Sequence, residues 1–149
     1  MRLVIQRVAR AEVLVDGDVV GSVGRGLAIL VGVRDGDTEA DAAALARKAF
    51  HLRIFEDEDG KMNRSAQDVS AGFLAVSQFT LYADTSRGRR PSFIQAAGPE
   101  TGRRLYERFV EALRVQGAEV ATGRFGANML VRLENDGPVT IILDSEDGR

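Results

Sequence analysis

The sequence contains no cysteine, which excludes disulfides, thiolate metal ligands and a cysteine nucleophile. It contains one histidine, His51, so a Ser-His-Asp triad would have to be built on that single imidazole. No nucleophile-elbow pattern accompanies it, and its place at the end of a helical stretch reads as an ordinary helix-end histidine. Zinc and iron sites draw on clustered His, Cys and carboxylate. Here the carboxylates gather in turns such as Asp57-Glu58-Asp59 and read as solvated loop charge, so neither a metal nor an organic cofactor is expected. Gly24-Arg25-Gly26 lies between strands rather than ahead of a helix, so it is no phosphate-cradling loop. Lysine occurs only as Lys48 and Lys61, leaving arginine to supply nearly all the positive charge. The formal net charge of −2 is a poor match for a protein that coats nucleic acid by neutralising many phosphates. It is compatible with an enzyme that grips one RNA end briefly. No apolar run approaches the ~18 residues of a membrane span, and Met1-Arg2-Leu3-Val4-Ile5-Gln6-Arg7 lacks the apolar stretch and cleavage site of a signal peptide. A cytoplasmic address without membrane contact is therefore expected.

What is present reads as one domain spanning 1–149, long enough to bury a core without staples. Leu3 to Val15 is rich in Val and Ile and reads as a strand, which Asp16-Gly17-Asp18 turns back into Val19 to Val23. Leu27 to Val33 is a continuous apolar run of strand length. Thr38 is placed to cap a helix with Glu39 and Asp41 in its first turn, after which Ala42, Leu45, Ala46, Ala49 and Phe50 repeat at helical spacing. Arg53-Ile54-Phe55 reads as a short strand and Phe73 to Gln78 as a buried one. The stretch from Phe79 to Ala97 has no clean period, and long irregular segments in compact domains are usually functional or mobile. Pro99 sits at the first position of a second helix with Leu105, Phe109, Val110 and Leu113 on its inner face and Gly117 at its end. Two last strands, Met129 to Leu133 and Val139 to Leu143, are separated by the turn chemistry of Glu134-Asn135-Asp136-Gly137-Pro138. The acidic tail from Asp144 to Arg149 is expected to fray. The class is α+β with largely antiparallel sheet.

Three segments leave two readings open. In Ser77-Gln78-Phe79-Thr80-Leu81 a buried strand runs into polar side chains, which either satisfy loop backbone or form a site. Asn135-Asp136-Gly137-Pro138-Val139-Thr140 is either a hairpin turn or a site, and X-Pro bonds favour trans by only ~0.5–1 kcal/mol, so a cis bond is accessible there. Arg87-Gly88-Arg89-Arg90, flanked by Phe93, is either a solvated loop or a contact for nucleic-acid phosphates.

The first two of these segments resemble the signature motifs of the D-aminoacyl-tRNA deacylase family of the bacterial and eukaryotic type. The resemblance extends through Ile5-Gln6-Arg7-Val8, Arg53-Ile54-Phe55, Gly60-Lys61-Met62-Asn63, Arg87-Gly88, Arg90-Pro91-Ser92-Phe93 and Thr122-Gly123-Arg124-Phe125, and so covers essentially the whole chain. Both motifs in order, at this separation and in a chain of this length, make the match specific. Joined to the elements above, it implies an α+β fold whose largely antiparallel sheets form a barrel-like core with two main helices, in a homodimer with two sites at the subunit interface.

The implied activity is hydrolysis of the ester of D-aminoacyl-tRNA, and of glycine mischarged on tRNA-Ala, as chiral proofreading in translation. The implied partners are the 3′ end of that tRNA and a second copy of the chain. Gly137 and Pro138, joined by a cis bond, are implied to capture the substrate's α-amino group through main-chain carbonyls reaching into the partner's site, with Arg7 holding their loop. Ser77, Gln78, Phe79 and Thr80 fall on the other active-site motif, where the N–H groups of Phe79 and Thr80 are suited to stabilise an oxyanion. Thr80 Oγ is a nucleophile candidate with no neighbouring base in sequence to activate it. Met129 matches a position near the pocket, with core packing as the other explanation. Two alternatives stand beside this reading: a non-catalytic nucleic-acid-binding module using Arg87, Arg89 and Arg90, and a general D-amino-acid esterase or peptidase indifferent to RNA.

Overall fold

A computed structural model describes residues 1–148. The organising element is β1 (Arg2–Val15), which pairs along both of its edges. Its first half is flanked by β3 (Gly26–Gly32), antiparallel, with Arg2 opposite Gly32 and Val8 opposite Gly26. Its second half is flanked by β2 (Asp18–Val23), antiparallel, joined to β1 through Asp16-Gly17. Both of those residues have positive φ (50° and 85°), the left-handed backbone that a two-residue hairpin needs to match the twist of its strands. Beyond β3 lie β6 (Gly72–Ser77) and β7 (Val120–Thr122), each parallel to its inner neighbour. The sheet order is β2-β1-β3-β6-β7, with β8 (Leu130–Asp144) on the other edge of β1. A small hairpin, β4 (Phe55–Glu56) with β5 (Met62–Arg64), stands apart.

The outer strands nearly meet. A Cβ at Gly21 on β2 would fall 2.3 Å from the carbonyl oxygen of Thr122 on β7, and within the β3–β6 ladder one at Gly26 would fall 2.1 Å from that of Gly72. Only glycine allows backbones to approach this closely, and the sheet curls into an almost closed barrel as a result. Largely antiparallel pairing with two helices is what the sequence leads one to expect; the two parallel ladders arise where β6 and β7 follow helical crossovers.

The helices cover one face. In α1 (Glu39–His51) Thr38 Oγ1 accepts from Asp41 N–H at 3.3 Å while the Asp41 carboxylate accepts from Thr38 N–H at 2.8 Å, a reciprocal capping box. Its Ala42, Ala46 and Ala49 bring it close to α2 (Pro99–Val115). Leu3, Ile5, Leu27, Ile29 and Phe73 of the sheet pack with Leu45, Leu105, Phe109 and Leu113 in the main core, each fully buried side chain contributing ~1.5–3 kcal/mol. A second cluster inside the barrel holds Val8, Val13, Leu74 and Val76. Among the described residues no helix is long and apolar enough to cross a membrane.

Three local expectations change. The short strand read at Arg53-Ile54-Phe55 is shifted to Phe55–Glu56, because Ile54 is occupied with its carbonyl facing Arg7. The two C-terminal strands are one, β8, and the Asn-Asp-Gly-Pro segment is not a hairpin. Both halves of β8 pair with β1 in the same direction, Leu130 to Asn135 against Leu14 to Val8 and Thr140 to Asp144 against Gln6 to Arg2. The residues between therefore bulge from a continuing strand. Finally, the stretch expected to fray is placed as the end of β8 and a 3-10 turn, Ser145–Gly148, with Ser145 N–H donating to Met1 O at 2.8 Å. Arg149 lies outside the described residues.

Candidate active site

At the end of β6 the chain leaves the sheet as a single 3-10 turn, Phe79–Tyr82. Gln78 N–H still donates to Val31 O across the ladder (2.8 Å), and the turn closes through Leu81 N–H to Gln78 O and Ala83 N–H to Thr80 O. The first N–H groups of any helix lack an intrahelical carbonyl. Here these are Phe79 and Thr80, and no side chain caps them. Two adjacent main-chain donors are thus presented at the mouth of a sheet. The Thr80 hydroxyl is engaged with the Gln78 side-chain amide, and among the described residues no imidazole or amine is bonded to it to remove its proton.

Beside the turn opens a cavity of about 620 Å³. Ser77, Gln78 and Phe79 form one wall, Met129 and Val131 another, and Tyr106 and Phe125 the back. No lining residue carries a charge at neutral pH. Tyr106 is the one ionisable group, and burial pushes its phenol up to about 12, so it stays neutral and donates to Ala75 O at 2.8 Å. His51 is elsewhere, packed edge-on against Phe50 at the end of α1. Met129 Sδ accepts from Arg124 N–H at 3.4 Å and lies where a Cβ on Gly123 would be only 2.6 Å away. The glycine therefore permits this placement of the thioether. Among the described residues no three of His, Asp or Glu are grouped as metal ligands.

The bulge of β8 lies apart from this cavity. The Gly137-Pro138 peptide bond is cis and Gly137 has φ +129°. Asn135 fixes both flanks: its Oδ1 accepts from Val139 N–H at 3.0 Å and its Nδ2 donates to Thr140 Oγ1 at 3.1 Å. From beneath, Arg7, only 5% exposed, donates through Nε to Asp136 O at 3.1 Å and through Nη1 to Ile54 O at 2.7 Å. A buried guanidinium is tolerated only when its donors are satisfied. Those two carbonyls, with the exposed carboxylates of Asp136 (3.6 Å) and Glu56 (3.9 Å), meet that need. Gly137 and Pro138 themselves are exposed.

The structure thus brings Ser77, Gln78, Phe79 and Met129 to one cavity. Thr80 adjoins it without lining it, and Gly137, Pro138 and Arg7 form a separate group that does not reach it. Sequence reading missed Tyr106 and Phe125 in the back wall and Asn135 as the clamp of the bulge. Tyr106 is hidden among the core positions of an amphipathic helix. Asn135 carries a detectable signal, since a short amide just before a turn commonly binds backbone a few residues on.

Comparisons with known proteins bear on the family and the fold. The family model for D-Tyr-tRNA(Tyr) deacylase matches residues 4–144. A relative from Thermomicrobium roseum, a D-aminoacyl-tRNA deacylase, is 60% identical over 149 residues, covering 100% of this chain and 97% of its own. A solved structure of a c-Myc DNA Unwinding Element Binding Protein superposes with a TM-score of 0.91 at 40% identity, covering 97% of this chain and 98% of that one. A probable eukaryotic D-amino acid tRNA deacylase, 22% identical with 95% and 97% covered, shares the fold at a TM-score of 0.83. With its motifs on an uncharged cavity and on a glycine-proline bulge, and with this match along nearly its whole length, the chain belongs to the D-Tyr-tRNA(Tyr) deacylase family.

Proposed function

We propose that this chain hydrolyses the ester joining a D-amino acid to the terminal ribose of tRNA, as a homodimer in which each cavity is completed by the partner's Gly137-Pro138 bulge. The observation that carries the reading is a pair of uncapped main-chain donors, Phe79 and Thr80 N–H, beside a cavity without charged side chains. Water attacks the ester carbonyl, and the oxyanion is held by those N–H groups, a kind of donor whose loss typically costs about 10²–10³ in rate. The C–O bond to the ribose then breaks, the ribose oxygen takes a proton, and the free amino acid and tRNA leave. With no side-chain base available, the neighbouring 2′-hydroxyl of the terminal ribose orients the water.

Chirality is set by the bulge. Its exposed carbonyls accept hydrogen bonds from the substrate's α-ammonium, worth roughly 1.5–3 kcal/mol each because the donor is charged. An L-residue held the same way drives its Cβ into the carbonyl wall, whereas a D-residue points it outward. The side chain is not read, so many D-residues are accepted, and glycine, including glycine mischarged on tRNA-Ala, passes as well. Dimer formation is supported by the face of β3-β1-β8 turned away from the helices. There Val4 stands opposite both Leu30 and Ile142, and Ile142 is 62% exposed. Exposed apolar clusters of this kind mark association surfaces.

A second reading, nucleic-acid binding without turnover, is favoured by the DNA-binding name of the structure at 40% identity. One assay separates the two. Substrate-level enzyme releases D-amino acid from D-aminoacyl-tRNA, and replacing the terminal ribose by its 2′-deoxy form slows release about 10²-fold or more. Stable binding with no release contradicts the proposal, and an unchanged rate on the 2′-deoxy ester contradicts the role given to the RNA.

A further inference from the structure

Ester hydrolysis leaves the segment between the catalytic turn and α2 without a task. Asp84 and Ser92 exchange both of their backbone hydrogen bonds (2.8 and 2.9 Å), and the Asp84 carboxylate accepts from Ser86 N–H at 2.9 Å. Residues 84–92 thereby form a closed finger. Arg87, Arg89 and Arg90 at its tip are all exposed, and among the described residues none of them is paired with a carboxylate. In a chain of net charge −2, three unpaired guanidiniums on one projection create a local field of the opposite sign.

The base of the finger is apolar and leads into the cavity. Phe93 meets Phe79 edge to face with ring centroids 5.0 Å apart, both rings border the cavity, and Ile94 beside them is 90% exposed. Outward from the cavity there is first an exposed aromatic and aliphatic step, then three cations. Stacking surface followed by backbone-tracking charge is the combination that holds single-stranded nucleic acid. Spacing agrees: Arg90 lies three residues from Phe93, a reach of ~10 Å, which about three nucleotides span at roughly 3.4 Å per phosphate along a stacked strand.

We propose that the 84–92 finger binds the single-stranded RNA leading to the ester. The base next to the terminal nucleotide rests on Phe93 and Ile94, and the preceding phosphates contact Arg87, Arg89 and Arg90. This rests on the function proposed above and deepens it: the finger selects RNA-borne esters over small ones, and acts on binding rather than on bond cleavage.

The test is the combined variant R87Q/R89Q/R90Q. Expected are a half-saturating concentration for D-aminoacyl-tRNA raised about tenfold or more with the saturating rate unchanged, and an unaltered rate on the D-aminoacyl ester of adenosine alone. The log–log salt dependence of binding to uncharged tRNA should become shallower by about 2, at ~0.7 per single-strand phosphate contact. Trimming the three 3′ nucleotides from that tRNA should abolish the difference between parent and variant. An unchanged salt slope, an equal loss on the adenosine ester, or a defect that persists on trimmed tRNA would each overturn the proposal. If the parent releases no amino acid from any ester, the proposed function fails, and the binding measurements still decide the role of the finger.

Discussion

Thr80 is where two mechanisms part, because its hydroxyl and its backbone N–H lie within one residue and only one of them has a route to the chemistry. The hydroxyl is engaged with Gln78 and has no base beside it, whereas the N–H is a free donor at the start of the 3-10 turn. Thr80→Ala is therefore predicted to keep single-turnover deacylation within about tenfold of the parent; a loss of ~10³ with the fold intact would assign the chemistry to the side chain. The neighbouring donor gives the converse test. Phe79→Pro removes an N–H at the first residue of the 3-10 turn, the helical position that tolerates proline best. It should cost about 10²–10³ in rate, while Phe79→Leu, which keeps the N–H, should cost far less. Equal losses would contradict the oxyanion role. Beneath the bulge, Arg7→Met deletes charge-assisted donations to Asp136 O and Ile54 O. Stopped-flow or quench measurements should show deacylation falling by about 10–10², as loss of one such bond implies, and full retention would show that the loop holds itself. These residues were legible in sequence through the resemblance to the deacylase family, not through spacing, and Arg7 stands in the middle of β1. The role of a backbone N–H was legible only as a possibility, since it depends on where a turn begins.

Among elements, the bulge of β8 shows why local turn chemistry misleads. Asn-Asp-Gly-Pro encodes a reversal in isolation, but β1 is long enough to pair with β8 on both sides of it, and continuing the ladder satisfies more backbone groups than a hairpin would. Long-range pairing of this kind leaves no trace in a short window, and the same holds for the parallel placement of β6 and β7. What the sequence does encode is the amphipathic helices, the Asp-Gly hairpin and the buried β3, each set by periodicity or by a turn residue. The barrel seam supplies an element-scale prediction. Gly21→Ala puts a methyl group 2.3 Å from Thr122 O across the β2–β7 seam, so the strands must separate at a cost of about 1–3 kcal/mol. The melting temperature should drop by roughly 2–4 °C for each kcal/mol. Gly24→Ala, with open space around it, should melt near the parent. Equal melting of the two variants would show that close backbone approach at the seam is not what closes the barrel.

At the scale of the whole molecule, one chain holds the cavity and the bulge apart, and twofold assembly is what joins them in the proposed function. An isologous dimer places each subunit's bulge against the other's cavity. Mixing two inactive variants then has a defined outcome. Phe79→Pro disables the turn, and Gly137→Ala, whose added methyl would lie 2.7 Å from Val139 Cγ2 and 3.2 Å from Arg7 Nη2, disables the bulge. Refolded together, they form hybrid dimers with one intact site, and random pairing restores about a quarter of parental activity. Restoration to no more than the sum of the two parts would contradict a shared site.

The central claim, that main-chain carbonyls of Gly137-Pro138 admit one hand of amino acid to an ester-cleaving cavity, is tested most directly by single-turnover deacylation of matched D- and L-tyrosyl-tRNA. The account predicts rapid release of D-tyrosine while the L-ester decays at its rate without enzyme. Equal rates on the two esters would contradict it.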